Sequence, residues 1–183
     1  MKRQAGFTIV ELMTVAAIVA ILLSIGVPSY KYITTSYRMS SEVNSLLGDL
    51  MYARGEALKE GQGVTACVSS NGTSCTGTAN WQNGWIVFSN GAGAANPAAG
   101  TILRVQAPFT GNPSDTFVAN SGISSITYNR EGFATTAAGF PNTLITLHNP
   151  GANVGYTRCL MISPQGLLNT ETNATSVPAG ACT

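Results

Sequence analysis

From Leu12 to Tyr30 the chain runs for 19 residues without a charge, and this stretch constrains the fold more than any other feature of the 183 residues. It holds Val15, Ile18, Val19, Ile21, Leu22, Leu23, Ile25 and Val27. As a helix rising 1.5 Å per residue, Phe7–Val27 spans about 31 Å, the thickness of a bilayer's hydrocarbon core. Lys2 and Arg3 sit just outside it. The positive-inside rule keeps them cytoplasmic and sends the C-terminus across the membrane. A buried core helix is one alternative and a secretory signal peptide another. A signal peptide calls for a small-x-small site after the run. Ser24–Ser29 is a poor version of one, and a helical pattern continues beyond it.

Glu11 stands at the head of this run. An ionisable side chain in a membrane segment is costly and points to function with a partner. Near a helix N-terminus its carboxylate also meets a favourable dipole. Gly6-Phe7-Thr8-Ile9-Val10-Glu11-Leu12, after a short basic leader and before the apolar run, resembles the class III signal of type IV pilins and pseudopilins. The resemblance covers about 30 residues. It implies removal of residues 1–6 by a prepilin peptidase of the inner membrane, cutting between Gly6 and Phe7, and N-methylation of Phe7. It also casts Glu11 as the residue that sets subunit register, pairing with the Phe7 ammonium of a neighbour. Physically, Gly6 lets a protease approach the backbone closely. A charge pair in low dielectric is favourable only when both members find partners.

Four segments are expected: the leader 1–6, a transmembrane and filament-core helix 7–30, its amphipathic continuation 31–60, and a β-rich head 61–183. Pro28 removes one backbone bond and is expected to kink the helix. Beyond it Val43, Leu46, Leu47, Leu50, Ala53 and Ala57 recur at helical spacing, with Glu42, Asp49, Glu56 and Lys59 on other faces. This stripe lasts barely two heptads, so packing on a head is preferred to a free coiled coil. Gly61 reads as the helix stop.

Composition changes at that glycine. Residues 1–60 hold 11 charges, whereas 61–183 hold six that sum to zero: Arg104, Asp115, Arg130, Glu131, Arg158 and Glu171. With a net charge of +1, the chain as a whole is no basic nucleic-acid binder. Runs rich in Val, Ile, Thr and aromatics predict strands at Val64–Ser69, Trp85–Ser89, Thr101–Ala107, Thr116–Ala119, Ser125–Asn129, Leu144–Leu147 and Tyr156–Ser163. Asn129–Gly132 and Pro164–Gly166 read as hairpin turns, and Gly91–Gly100 as a low-complexity loop. The fold class is α+β: a long N-terminal helix, first transmembrane and then amphipathic, packed on an antiparallel β head, pilin-like. Leu46–Glu60, Asn83–Phe88, Ile126–Phe133 and Leu160–Gly166 resemble, in order, four motifs of the GspH/FimT group of minor pilins and minor pseudopilins.

The four cysteines, Cys67, Cys75, Cys159 and Cys182, permit three pairings, and sequence alone does not choose among them. An exported head is oxidising territory, where disulfides persist. Cys67–Cys75, closing a short polar loop, and Cys159–Cys182, pinning the C-terminal tail, is the favoured set. The second loop contributes about 3 kcal/mol on chain-entropy grounds. Zinc is the rival reading, but no pair has C-x₂₋₄-C spacing. No metal or cofactor is expected. His148, at a strand end, reads as structural, no paired carboxylates stand out, and no phosphate-binding glycine loop is followed by Lys. The chain is expected not to be an enzyme.

By resemblance, the chain is expected to act as a minor pilin in pilus assembly, in initiation or at the tip. Its partners would be other major and minor pilins, prepilin peptidase and the inner membrane. It would start as a single-pass protein of the bacterial inner membrane, head in the periplasm, and end in the extracellular pilus. Trp81, Trp85 and Tyr128 are candidate contact aromatics, the last two with a core role as the stronger reading. A minor pseudopilin of type II secretion is the alternative. DNA is a weaker candidate partner. The Gly-Arg-x-Arg-like motif of DNA-capturing members is here Gly166-Leu167-Leu168-Asn169, and phosphate binding needs several cations. Peptide mapping under non-reducing conditions is expected to link Cys159 with Cys182; any other partner for either refutes that pairing.

Overall fold

The computed structural model describes residues 6–89, 96–98, 101–111, 114–136, 139, 142–151, 155–172 and 182. Helix α1 runs from Ile9 to Glu60 through Pro28 without a break. The chain divides into two compact units inside this helix, Met1–Tyr37 and Arg38–Thr183. In the first, every described residue through Thr34 is exposed. The leader's Lys2 and Arg3 and most of Gly91–Gly100 lie outside the described residues.

In the second unit Arg38–Glu60 belongs with nine strands: β1 (Val64–Val68), β2 (Trp85–Ser89), β3 (Ile102–Gln106), β4 (Thr116–Ala119), β5 (Ser125–Tyr128), β6 (Ala134–Thr135), β7 (Thr143–His148), β8 (Arg158–Ile162) and β9 (Leu168–Thr172). They form two antiparallel sheets, ordered β3-β2-β1-β5-β6 and β4-β7-β8-β9. The α+β class predicted from sequence is the observed one. The edge strands β6 and β9 are additions; β9 reads Leu-Asn-Thr-Glu-Thr and β6 has two residues, so neither carries a strong apolar signal.

One core joins the three layers. On α1 it takes Met39, Val43, Leu46, Leu50, Ala53 and Ala57, at alternating steps of four and three residues that keep one face inward. From the first sheet it takes Val64, Ala66, Val68, Trp85, Val87, Ile126 and Tyr128. From the second it takes Phe117, Ala119, Ile145, Leu147, Leu160 and Ile162. Leu47, placed in the stripe by periodicity, is only partly buried, and Met39 extends the stripe one turn earlier. Gly61, at φ +67°, ends the helix in the left-handed conformation, its N–H donating to Ala57 O at 3.0 Å.

Alternation along the strands leaves apolar groups on the outer faces too. Cys67, Ile86 and Phe88 cluster there on the first sheet and Leu144, Cys159 and Cys182 on the second. Each outer cluster contains one disulfide, Cys67–Cys75 and Cys159–Cys182, with Cα separations of 5.6 and 5.9 Å.

Polar side chains of α1 reach the strands around the buried stripe. Arg54 donates from Nε to Gly132 O (3.1 Å) and from Nη2 to Gln165 O (3.3 Å). It thereby holds the β5–β6 and β8–β9 hairpin turns, one from each sheet. The second turn lies so close to the first that a Cβ on Gly166, at φ +74°, would stand 2.1 Å from Gly132 O. Asp49 accepts from Trp85 Nε1 (2.9 Å) and Arg104 Nη1 (2.8 Å), while the Arg104 guanidinium lies 3.8 Å over the Tyr52 ring. Arg38 pairs with Asp115 and, at 3.5 Å, with Glu42. Arg158 donates to Ser40 Oγ at 3.2 Å. Glu42 and Asp49, assigned by periodicity to faces away from the stripe, are thus drawn into the helix–strand boundary.

Leu50→Ala removes a side chain with no exposed surface. It is expected to cost about 2–5 kcal/mol in chemical denaturation of the detergent-solubilised chain. Leu58→Ala, at a residue 52% exposed, should stay within about 0.5 kcal/mol; equal losses would contradict the burial pattern. Burial raises the Glu42 pKa above its ordinary 4.5, only partly offset by the Arg38 charge. A carboxyl that holds its proton more tightly when folded favours folding below its ordinary pKa, and that contribution is lost as pH rises through the folded value. Glu42→Gln should therefore raise Tm at pH 7 and leave it nearly unchanged at pH 4. The same shift at both pH values would show that burial does not govern this carboxyl.

Candidate assembly interface

At the amino terminus, local hydrogen bonding explains the helix start. Thr8 precedes the first helical residue, and its Oγ1 accepts the Glu11 N–H at 3.2 Å while its carbonyl accepts Leu12 N–H. Thr8 therefore stands at the N-cap and Glu11 at N3, and the bond from the Glu11 N–H to the Thr8 hydroxyl is the N-cap half of a capping box. Periodicity did not single out Thr8; the S/T-x-x-E spacing was the signal available for it. Glu11 lies in the first turn of α1, where backbone N–H groups favour a carboxylate. Gly6 and Phe7 precede the helix outside regular secondary structure, and Phe7 is 80% exposed.

Between Phe7 and Val27 the apolar side chains have no cover: Ile9, Leu12, Ile18, Leu22 and Ile25 all show most of their surface. The segment is long and apolar enough to cross a membrane, and none of its most apolar window is buried. A soluble domain does not leave so large a continuous apolar surface open to water. Pro28 sits inside this unit's helix; its missing donor is accommodated with helix on both sides.

The head contributes differently from expectation. Trp81 was a candidate contact aromatic, and it has no exposed surface. Its indole N–H donates to Ile123 O at 3.1 Å, and its ring lies 6.4 Å from that of Trp85. The polar residues around it in sequence gave no sign of this burial, because the short helical turn Trp81–Asn83 folds the ring inward. Trp85 and Tyr128 are core residues, and burial pushes the Tyr128 phenol pKa up. Phe109 extends the aromatic group, edge-on to Trp85 and stacked on Phe117.

His148 ends β7, with Nδ1 3.3 Å from Thr157 Oγ1. Among the described residues no three His, Cys, Asp or Glu side chains gather as metal ligands would. The three arginines beyond position 100 are dispersed and each is engaged: Arg104 with Asp49, Arg130 with Glu131 and Arg158 with Ser40. Where the second unit exposes apolar surface, Met51 and Leu58 of α1 and Leu167 of the head are more than half exposed, and they border an open groove with Arg54, Gly55 and Gly166.

Residues 42–166 match the family model described as type II transport protein GspH, and residues 1–27 match the prokaryotic N-terminal methylation motif. Two fimbrial proteins of Pseudomonas aeruginosa are each 34% identical to the chain over 73 residues, 40% of this chain and 47% of theirs. The chain thus spans about half the length of these curated relatives. Two crystal structures of the type IV minor pilin FimU of Pseudomonas aeruginosa share the fold. In space group P65 the TM-score is 0.55, with 72% of this chain and 91% of that one covered at 21% identity. In P21 it is 0.58, with 76% and 92% covered at the same identity. With one family model spanning most of the strands and the adjoining helix, and the methylation motif at its amino terminus, the chain belongs to the GspH family of type IV pilin-like proteins.

Proposed function

We propose that the chain is a minor type IV pilin that takes part in pilus assembly, priming the filament or capping its tip. The observation that carries this reading is the uncovered apolar half of α1 on a chain with the methylation motif. Cleavage between Gly6 and Phe7 and methylation of Phe7 leave an ammonium at the start of an apolar helix. The bilayer covers that helix first, as a single pass with the head in the periplasm; the helices of other pilins cover it later. As the subunit leaves the lipid, Glu11 pairs with the Phe7 ammonium of a neighbour. Both charges then have partners in a low-dielectric setting, which makes the pair a register device. The sparse charge of the head suits an interface core, where charged residues are depleted. The role is structural and needs no cofactor.

A pseudopilin of a type II secretion system is the second reading, favoured by the description of the matching family model. DNA capture draws little support from a head whose arginines are already engaged and whose Gly166-Leu167-Leu168 carries no cation.

Pili are expected to disappear from a clean deletion strain and to return with a plasmid copy; unchanged piliation would shift the reading to secretion, to be checked by export assays. In the same strain Glu11→Ala should be processed normally but recovered in sheared pili at about one tenth of the wild-type amount or less. Normal incorporation of that variant would end the register role.

A further inference from the structure

The uncharged run ends at Tyr30; Lys31 and Tyr32 follow it directly, and Tyr37 lies farther along the same unit. Tyr30, Tyr32 and Tyr37 are 70%, 53% and 75% exposed, and Lys31 is exposed beside them. At about 100° per residue, Tyr30, Lys31 and Tyr32 point in three directions around α1 within about 3 Å of rise. This is a collar, whereas a neighbouring helix reads a stripe of residues three and four apart. A surface that meets the helix equally from every side is the headgroup layer of a bilayer. Tyr suits that layer, with an apolar ring and a hydroxyl at its tip, and Lys reaches it along its stem.

The spacing gives the collar a role. Glu11 and Lys31 are 20 residues apart, about 30 Å along a helix, which matches the hydrocarbon thickness. A collar held at the far headgroup layer therefore leaves the Glu11 carboxylate at the near one, hydrated, with Gly6 and Phe7 beyond it. We propose that Tyr30, Lys31 and Tyr32 bind the phospholipid headgroup layer on the periplasmic side and fix the depth of α1. The waiting subunit thus keeps Glu11 out of hydrocarbon and its cleavage site at the opposite surface. This rests on the membrane-resident reading of α1.

The test uses the full chain in the membranes of an assembly-deficient strain. Single cysteines are placed at Gly26, Ser29, Ile33 and Thr35, and labelled with a membrane-impermeant maleimide from the periplasmic side. In the wild-type background, labelling should fall about tenfold or more between Thr35→Cys and Gly26→Cys, across the headgroup boundary. Combined Tyr30→Ala and Tyr32→Ala should move that step by one turn or more, or flatten it. Tyr30→Trp with Tyr32→Trp should restore it, because Trp suits the same layer. An unmoved step in the Ala variant, with a wild-type chain that resists carbonate extraction, overturns the collar alone. Release of the wild-type chain by carbonate, with labelling at every position, overturns the membrane reading itself and the collar with it. An unmoved step together with reduced recovery of the Ala variant in pili, in an assembly-competent strain, also overturns the collar and assigns the tyrosines to neighbouring subunits.

Discussion

Half of α1 is a soluble protein's core element, and the rest of the second unit is arranged around that fact. Met39, Val43, Leu46, Leu50, Ala53 and Ala57 place six water-shielded side chains in line, and the inner faces of both sheets share one cluster with them. A five-stranded and a four-stranded sheet of short strands each have one apolar face to cover. The helix supplies that cover for both. Arg54 gathers two loop carbonyls from different sheets. Hydrophobic burial drives this assembly, and the polar contacts fix its register.

The placement of the few head charges follows from the same arrangement. Arg104 finds Asp49, Asp115 finds Arg38, and Arg158 finds Ser40; in each case the partner lies on α1. Of the six charges after Gly61, three thus answer the helix, while Arg130 and Glu131 pair with each other and Glu171 accepts from Asn169. The surface left over is made of hydroxyls, amides and small residues, with a few apolar side chains such as Val105 and Leu167. Several such subunits can approach one another with little charge to desolvate.

Much of this was legible in the residues. The length of the apolar run, the helical stripe, the Gly61 stop and the hairpin turns at Asn129–Gly132 and Pro164–Gly166 rest on local patterns, and local structure follows them. The β9 strand was not legible, because an edge strand gains its order from a partner, here β8, and its own residues are polar. Trp81 was misread for a related reason: a loop side chain is buried by what folds over it, and sequence neighbours carry no record of that. Asp49 belongs to a helix face only about 100° from Leu50, close enough for its carboxylate to reach Trp85 and Arg104 on the strands. Periodicity assigns faces and does not tell which flanking residues reach across. The Thr8 cap was available as a four-residue spacing beside the more conspicuous Glu11.

The positions of the two disulfides bear on how such a chain carries tension. Cys67–Cys75 and Cys159–Cys182 each brace the outer face of a sheet, and α1 contains no cysteine. The disulfides therefore tie a loop and the tail each to a single strand, while among the described residues Arg38–Glu60 is joined to the sheets by the peptide connection at Gly61 and by side-chain contacts. A pull along the helix axis loads those contacts in shear, with six core side chains and the arginine bonds resisting together. A pull that lifts the helix sideways loads them one turn at a time. Within the second unit, the contacts of Arg38–Glu60 thus share a lengthwise load and meet a sideways one in sequence.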